Sequence, residues 1–371
     1  MENNAKAYFP ALTGVRALAA YMVFFHHFIP THFSGGFINL GYFFGEFHVG
    51  VTFFFVLSGF LIHNRYQDFG QIGLANYWKY FSSRIARIMP VFIILTTLTF
   101  LYNFFFHKAD QGLAGKNIGL WLLNISLLKG FFSGLNFSGI AQAWSLTVEF
   151  CFYSFAPFLF SKVKNVVFYP LIASLLLGTG FLLVFIFSPL PLHEFFGNNR
   201  FMLSYTFFGR SFEFLVGCYL SYQINLKKYP KRKSGVLTYL GLALIFVSIY
   251  AISLFREPTI YGVHAVEGLI INNVLLPVII IFFFKGLLLE ETLISRILSG
   301  KTGQLLGKSS YAFYLIHVGF IEIGLYHFVT QHTWVLFILL NLISIFIFLW
   351  VEEPLNNYVK RKLGRLSFFK V

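Results

Sequence analysis

The sequence predicts an all-α, polytopic membrane protein with about ten transmembrane helices, and three observations support this prediction. Hydrophobic residues make up 57% of the 371 residues, whereas charged residues make up only 11%. The mean hydropathy is +0.72, which is more apolar than a water-soluble domain of this size requires. Uncharged runs of about 20 residues recur along the chain, and each is long enough to cross a bilayer.

Apolar windows define the candidate spans in chain order. They cover residues 11–30, 42–63, 87–106, 143–161, 165–187, 204–224, 235–255, 266–286, 308–329 and 333–352. Segment 107–142 is interrupted by Gly, Ser and Asn, so it is expected to fold back as an interfacial or re-entrant piece. We expect one transmembrane domain over residues 1–371, with a short N-terminal segment at 1–10 and a basic tail at 353–371.

The distribution of basic residues predicts the orientation. Placing the N-terminus in the cytoplasm leaves 21 Lys and Arg residues in cytoplasmic segments and five outside. The positive-inside rule therefore predicts cytoplasmic termini for a multi-pass protein of the cell membrane. The net charge of +14 is explained by these short basic tracts, so we do not expect nucleic-acid binding.

Arg16 and His27 in the first span are the strongest indication of a functional site. A separation of eleven residues returns to within about 20° of the same helix face, with about 16 Å of axial rise. A cation and an imidazole inside a membrane helix are costly, so a functional site is the expected explanation. The adjacent His26 points about 100° away and is expected to be interfacial or paired elsewhere.

Two arginines precede Pro90 at the predicted start of the third span. Arg84 and Arg87 are spaced i, i+3 and share a face, which suits phosphate binding through two guanidinium groups. They could equally be positive-inside anchors, and the spacing alone does not exclude this alternative. Arg210 and Glu213 have the same spacing and are expected to form a structural pair within the membrane.

Several further polar residues lie inside predicted spans. Glu149 is expected to have a partner such as His27, and a structural ion pair is the main alternative. Tyr153 follows Glu149 by one turn. Ser58 offers a hydroxyl nucleophile, but small residues beside it favour close helix packing. His317, preceded by Tyr311 and Tyr314, either lines a site or satisfies a structural hydrogen bond.

Six blocks in order resemble the acyltransferase 3 family, which comprises integral-membrane O-acyltransferases that modify surface glycans and related molecules. The blocks are Leu12 to His27, in which ten residues stand between Arg16 and His27, Gly50 to Ile62, Arg84 to Pro90, Trp144 to Glu149 with Tyr153 and Pro157, Ser310 to His317, and Val351 to Pro354. Each block is weak by itself, but together they extend over nearly the whole chain. Glu353 departs from the pattern at a usually basic position, and His26 duplicates the histidine locally.

The resemblance implies transfer of an acyl group from cytoplasmic acyl-CoA, commonly acetyl-CoA, to a hydroxyl group. It implies that Arg16, Arg84 and Arg87 hold the donor phosphates. His27 would act as general base on the acceptor hydroxyl, and Glu149 would orient or charge-balance its imidazole. The residues expected to bind substrate or support the site are Ser58, Trp144, Tyr153, Tyr311 and His317.

The predicted function is therefore membrane O-acyl transfer, in particular O-acetyl transfer, to a surface polysaccharide or lipid-linked saccharide. A secondary transporter of a small polar or anionic solute is the alternative, although paired halves with interrupted helices are not evident. No metal is expected, because His and acidic residues do not recur at ligand spacings. The sequence does not select the acceptor, the acyl chain, the oligomeric state, or between direct transfer and an acyl-enzyme.

Overall fold

The computed structural model of the protein describes residues 8–29, 39–67, 73–106, 118–224, 232–257 and 259–365. Within these ranges the secondary structure consists of helices, turns and three isolated bridges, without a β-strand. The predicted all-α class is thus confirmed. Some of the basic residues counted for the predicted orientation lie outside the described residues, namely Lys6, Lys108, Lys116, Lys227, Lys228, Lys231 and Lys370.

The described α-helices are numbered in chain order, and several are extended by short 3₁₀ or π turns. They are α1 Pro10–Phe28, α2 Leu40–Gly45, α3 Gly50–Tyr66, α4 Leu74–Phe106, α5 Ile118–Ile125, α6 Trp144–Lys162, α7 Tyr169–Phe187, α8 Asn199–Tyr205, α9 Phe207–Gln223, α10 Val236–Leu254, α11 Val266–Ile270, α12 Leu276–Leu289, α13 Leu293–Ser299, α14 Lys301–Ile316, α15 Phe320–Phe328, α16 Thr333–Ile347 and α17 Glu353–Arg365.

Among the described residues, seven helical segments are long and apolar enough to cross a membrane. They are Leu40–Tyr66, Asn76–Phe106, Ala141–Lys162, Val166–Phe187, Val236–Leu254, Val266–Leu289 and Thr333–Lys362. These segments coincide with seven of the predicted spans, so the chain is a multi-pass membrane protein. The count of about ten spans and the cytoplasmic location of the termini remain predictions.

Two predicted spans differ from the structure in an informative way. The third begins at Leu74 rather than at residue 87, so Arg84 is the eleventh residue of α4 and lies about 15 Å from its start. The predicted span 308–329 is not one helix, because α14 ends at Ile316 and α15 begins at Phe320. Gly319 between them has φ +130°, which a residue with a Cβ rarely adopts.

The chain divides into two compact units. Unit 1 comprises Met1–Asp68, Val163–Pro170 and Phe212–Ser310. Small residues bring its helices close together, since a Cβ on Gly59 of α3 would lie 2.0 Å from the Phe214 carbonyl oxygen of α9. A Cβ on Gly217 of α9 would likewise lie 2.0 Å from the Val56 carbonyl oxygen of α3. The predicted packing role of the small residue beside Ser58 is therefore confirmed.

Unit 2 comprises Phe69–Lys162, Leu171–Ser211 and Tyr311–Val371. Its loop between α5 and α6 contains Lys129, which is fully buried and donates hydrogen bonds to the carbonyl oxygens of Ser138 and, at 2.8 Å, Ile140. Burial lowers the pKa of Lys129 to about 7. From residue 118 onward, segment 107–142 is thus the broken piece that its composition predicts, held together by a buried amine.

Candidate functional site

Arg16 and His27 lie toward opposite ends of α1 on one face of the helix. Arg16 is partly buried, and its Nε lies 3.5 Å from the Ser310 hydroxyl on α14. His27 is in the last turn of α1 and is exposed. Ala20 and Val23 lie between them on this face, and both are buried. In unit 1 the two polar groups are therefore separated by packed apolar side chains along the helix.

The neighbouring histidines differ in environment. His26 is partly buried, and its Nδ1 lies in hydrogen-bond contact with the Gly45 carbonyl oxygen. Its ring centroid lies 4.6 Å from that of His27, 5.4 Å from that of His48 and 4.8 Å from that of Tyr261. His26 is thus part of a packed cluster, whereas His27 presents its ring at the surface.

A fully buried carboxylate, Glu46, lies beside this cluster. Its Oε1 accepts hydrogen bonds from the Gly262 amide at 2.9 Å and from Arg256 Nη1 at 3.2 Å. Its Oε2 lies 2.9 Å from His48 Nε2. Glu46 was not among the predicted site residues, and Arg256 was one of the five basic residues counted outside the cytoplasm. The available indication was the acid–x–His spacing of residues 46–48, directly before the third helix.

The structure describes the surroundings of Ser58 and Glu213 without testing their predicted roles. Ser58 is partly buried on α3. Glu213 is fully buried and accepts a hydrogen bond of 3.1 Å from the Thr52 hydroxyl. The nucleophile role of Ser58 and the pairing of Glu213 with Arg210 remain predictions.

Unit 2 brings four of the predicted residues together. The Tyr153 hydroxyl donates a hydrogen bond to the Glu149 carboxylate one turn earlier on α6. The charges of Arg84 and Arg87 on α4 lie close enough to act electrostatically on the same hydroxyl. Arg84 is 9% exposed and Tyr153 6% exposed, so these groups interact where water screens charge weakly. A cation pair, a carboxylate and a phenol thus form one polar group, in which Arg87 and Glu149 are half-buried.

Tyr311 extends this group toward the end of the chain. Its hydroxyl donates a hydrogen bond of 2.8 Å to the Ile88 carbonyl oxygen, one residue after Arg87. Its electrostatic partners include Glu149 and Glu352. Glu352 is 7% exposed and ends the π-helical turn Phe348–Glu352. Glu352 lies in the predicted block from Val351 to Pro354, and an acidic residue inside the last span is itself an indication of function.

Trp144 and His317 lie near the N-terminal end of α6 and the C-terminal end of α14. Trp144 is the first residue of α6, and its ring meets the Tyr205 ring edge-on at 4.9 Å. His317 is fully buried, and its Nδ1 lies 2.8 Å from the Tyr314 carbonyl oxygen. This contact favours the structural alternative for His317, since a buried imidazole requires a hydrogen-bond partner.

The two units offer distinct chemical groups. Unit 1 presents an exposed imidazole, which can accept a proton when neutral. Unit 2 contains two guanidinium groups in fixed positions, and guanidinium forks match phosphate oxygens. Among the described residues, no group of three or more His, Cys, Asp or Glu side chains could hold a metal ion.

The sequence of the chain is similar to a known protein family and to known proteins. The profile of the acyltransferase 3 family, described as an acyltransferase domain, matches residues 9–353. The chain is 26% identical over 406 aligned positions to the peptidoglycan O-acetyltransferase OatA of Listeria monocytogenes, covering 99% of this chain. It is 27% identical over 336 positions to the O-acetyltransferase OatA of Staphylococcus aureus, covering 84% of this chain.

These relatives are much longer than the chain. The alignments cover 58% of the Listeria protein and 50% of the Staphylococcus protein. No solved structure matches the chain. The likeness therefore rests on sequence and covers nearly all of this protein but only about half of each relative.

Proposed function

Since the chain belongs to the acyltransferase 3 family, we propose that it is a membrane O-acyltransferase, specifically an O-acetyltransferase. The six sequence blocks predicted this family, and the match over residues 9–353 confirms it. That match is the observation that carries the proposal. The proposed acceptor is a hydroxyl of a surface polysaccharide or lipid-linked saccharide. The names of both relatives support O-acetyl transfer, and one of them specifies peptidoglycan.

The proposed donor is cytoplasmic acyl-CoA, with acetyl-CoA as the first choice. Its phosphates require cations in fixed positions, and Arg84 and Arg87 supply two guanidinium groups on one face of α4. Arg16 is proposed as the third cation. The location of Arg84 inside α4 supports this role over that of a surface anchor, because an anchor does not need burial to 9% exposure.

His27 is proposed as the general base. Its imidazole takes the proton of the acceptor hydroxyl as the oxygen attacks the thioester carbonyl and forms the ester bond. The carbon–sulfur bond then breaks, and the proton passes to the departing CoA thiolate. Glu149 is proposed to orient or charge-balance the imidazole. In a two-step route, a side chain of the enzyme first takes the acyl group as the carbon–sulfur bond breaks, and the acceptor oxygen then displaces that side chain as the ester bond forms.

We also propose the topology in which this chemistry operates. Residues 1–371 form one transmembrane domain of the cell membrane, with both termini in the cytoplasm and a glycan acceptor at or near the outer side. The excess of basic residues in the predicted cytoplasmic segments supports this orientation.

The test uses membranes that contain the full chain, radiolabelled acetyl-CoA and a pool of cell-wall or lipid-linked saccharides. Wild type is expected to transfer label to the saccharide, and His27→Ala is expected to lose about 10²-fold to 10⁴-fold of this activity. Phe185→Ala, at an exposed position on α7, is the control and should transfer label normally. Uptake of solute that depends on a proton gradient, without ester formation, would favour the transporter instead.

A further inference from the structure

The two adjacent histidines at the end of α1 differ in exposure and in their contacts. His27 is exposed, whereas His26 is held by the Gly45 carbonyl oxygen and by the rings of His48 and Tyr261. Both belong to unit 1, and so do all the groups that surround His26. Side chains around His26 establish this difference in exposure.

The first element of the answer is the segment that contains Gly45. A Cβ at Gly45 would lie 2.1 Å from Arg256 Nη1, so the guanidinium packs directly on the backbone there. The Gly45 carbonyl oxygen meanwhile faces His26 Nδ1. The backbone at Gly45 therefore links Arg256 on one side to His26 on the other. A side chain at this position would displace the guanidinium from the place it occupies.

The second element is the buried charge pair. Glu46 is fully buried, and each of its carboxylate oxygens has partners: Arg256 and the Gly262 amide on Oε1, and His48 on Oε2. The side chain of Arg256 is only 3% exposed. One carboxylate thereby joins the segment before α3 to the segment after α10, 210 residues later in the chain.

The third element is an aromatic clamp. The Arg256 guanidinium carbon lies 5.2 Å from the ring centroid of Tyr42 and 4.5 Å from that of Tyr261. Cation–π contacts of this kind hold a guanidinium in place when water is excluded. Because the Tyr261 ring also contacts His26, the position of Arg256 determines where one side of the His26 ring packs.

We propose that Glu46 and Arg256 form a positioning pair that fixes His26 and thereby presents His27 as the single reactive imidazole. Both are positioning residues, since they act through the end of α1 and not on substrate. The consequence for catalysis rests on the proposed function, but the difference in reactivity between the two histidines does not. The sequence contains two adjacent histidines, and this pair determines which of them is reactive.

Chemical labelling of the full-length protein tests the proposal. Diethylpyrocarbonate transfers an ethoxycarbonyl group to a neutral imidazole nitrogen, with release of ethanol and carbon dioxide. The two histidines are distinguished by fragment-ion mass spectrometry of the digested protein. In wild type, His27 is expected to react at least tenfold faster than His26, because only His27 is exposed.

Two variants and one control are compared with wild type. Glu46→Gln removes the carboxylate charge and is expected to lower the ratio of the two labelling rates at least threefold. The double variant Glu46→Gln/Arg256→Gln leaves no unpaired buried charge, which keeps the test valid if the single variant unfolds. Glu290→Gln is the control, because Glu290 is a buried carboxylate of unit 1 that caps α10 through the Leu237 and Thr238 amides.

A general loss of stability would alter labelling in the control as well. The proposal is overturned if both histidines react equally in wild type, or if a folded Glu46 variant keeps the wild-type ratio. It is also overturned if Glu290→Gln changes the ratio as much as Glu46→Gln does. With saccharide transfer as the second readout, Glu46→Gln is expected to lower kcat about tenfold with an unchanged KM for acetyl-CoA. Loss of the labelling difference without any measurable transfer in wild type would count against the proposed function alone.

Discussion

Tyr153 donates a hydrogen bond to the carboxylate of Glu149, four residues earlier on α6. The pair lies in unit 2 with Arg84 and Arg87, whose charges act on the same tyrosine hydroxyl. Glu149 therefore has the Tyr153 hydroxyl as a hydrogen-bond partner within its own helix, and the cations of α4 act on that same hydroxyl.

Replacing Tyr153 with Phe tests whether this hydrogen bond contributes to function. A hydrogen bond to a charged group contributes roughly 1.5–3 kcal/mol, so we expect Tyr153→Phe to lower acyl-transfer turnover about 10-fold to 100-fold. Glu149→Gln is expected to have a larger effect, because it removes the charge itself. Both are measured as saccharide acetylation rates at saturating acetyl-CoA. Tyr250→Phe, which alters an exposed tyrosine on α10, should leave the rate unchanged, and equal rates for Tyr153→Phe and wild type would contradict the prediction.

Arg84 and Arg87 can be tested by substitutions that keep the charge. Lysine cannot reproduce the bidentate geometry of a guanidinium with phosphate, so Arg84→Lys and Arg87→Lys should raise the KM for acetyl-CoA about tenfold. The kcat should change much less. Initial rates over a range of acetyl-CoA concentrations separate the two parameters. Arg200→Lys, at an exposed arginine of α8, is the matched control. An unchanged KM in both variants would support the anchor role instead.

Lys129 predicts a specific dependence of stability on pH. Its pKa is about 7 in the folded protein because of burial, compared with about 10.4 in an unfolded chain. Between these values the unfolded chain binds the additional proton, so folding stability should increase as pH rises from about 7 to about 10. The Lys129→Met variant should lack this increase in folding stability with pH. Thermal unfolding in detergent at several pH values measures it as the difference between wild type and variant.

The same substitution has a second expected effect at constant pH. Lys129 donates to the carbonyl oxygens of Ser138 and Ile140, so Lys129→Met leaves two buried acceptors without their donor. The variant should therefore be less stable than wild type at pH 10, where the amine of the folded protein is neutral. A variant that is equally stable at pH 10 and retains the wild-type pH dependence would rule out this role of the buried amine.

Gly59 is expected to be intolerant of any side chain. A Cβ there would lie 2.0 Å from the Phe214 carbonyl oxygen, so α3 and α9 would have to move apart. Overpacking of this kind costs about 1–3 kcal/mol, and Gly59→Ala should lower the melting temperature accordingly. Gly178→Ala on α7 is the matched control, because nothing lies within 4 Å of its Cβ position. That substitution should be neutral or slightly stabilising, since alanine favours helix more than glycine does. A Gly59→Ala protein as stable as the control would exclude close packing as the function of this glycine.

The sequence predicted those features that depend on local spacing. Helical periodicity alone places Arg16 and His27 on one face, and the glycine-rich composition before Trp144 predicted the broken segment. The predicted span began at residue 87, whereas α4 begins at Leu74. The prediction was wrong because the first turns of α4 are helical but not apolar. An apolar window detects the hydrophobic part of a helix and not its full length. The two arginines therefore lie farther inside the helix than the window suggested.

By itself, the sequence determined the family and the helical membrane class and predicted the reactive side chains, because all of these follow from composition and from residues close together in the chain. Only the tertiary structure decided which distant groups meet. The contact of Glu46 with Arg256 joins residues 210 positions apart, and that of Tyr311 with Ile88 joins residues 223 positions apart. Such contacts depend on how helices pack, and packing is a property of surfaces that no local pattern records.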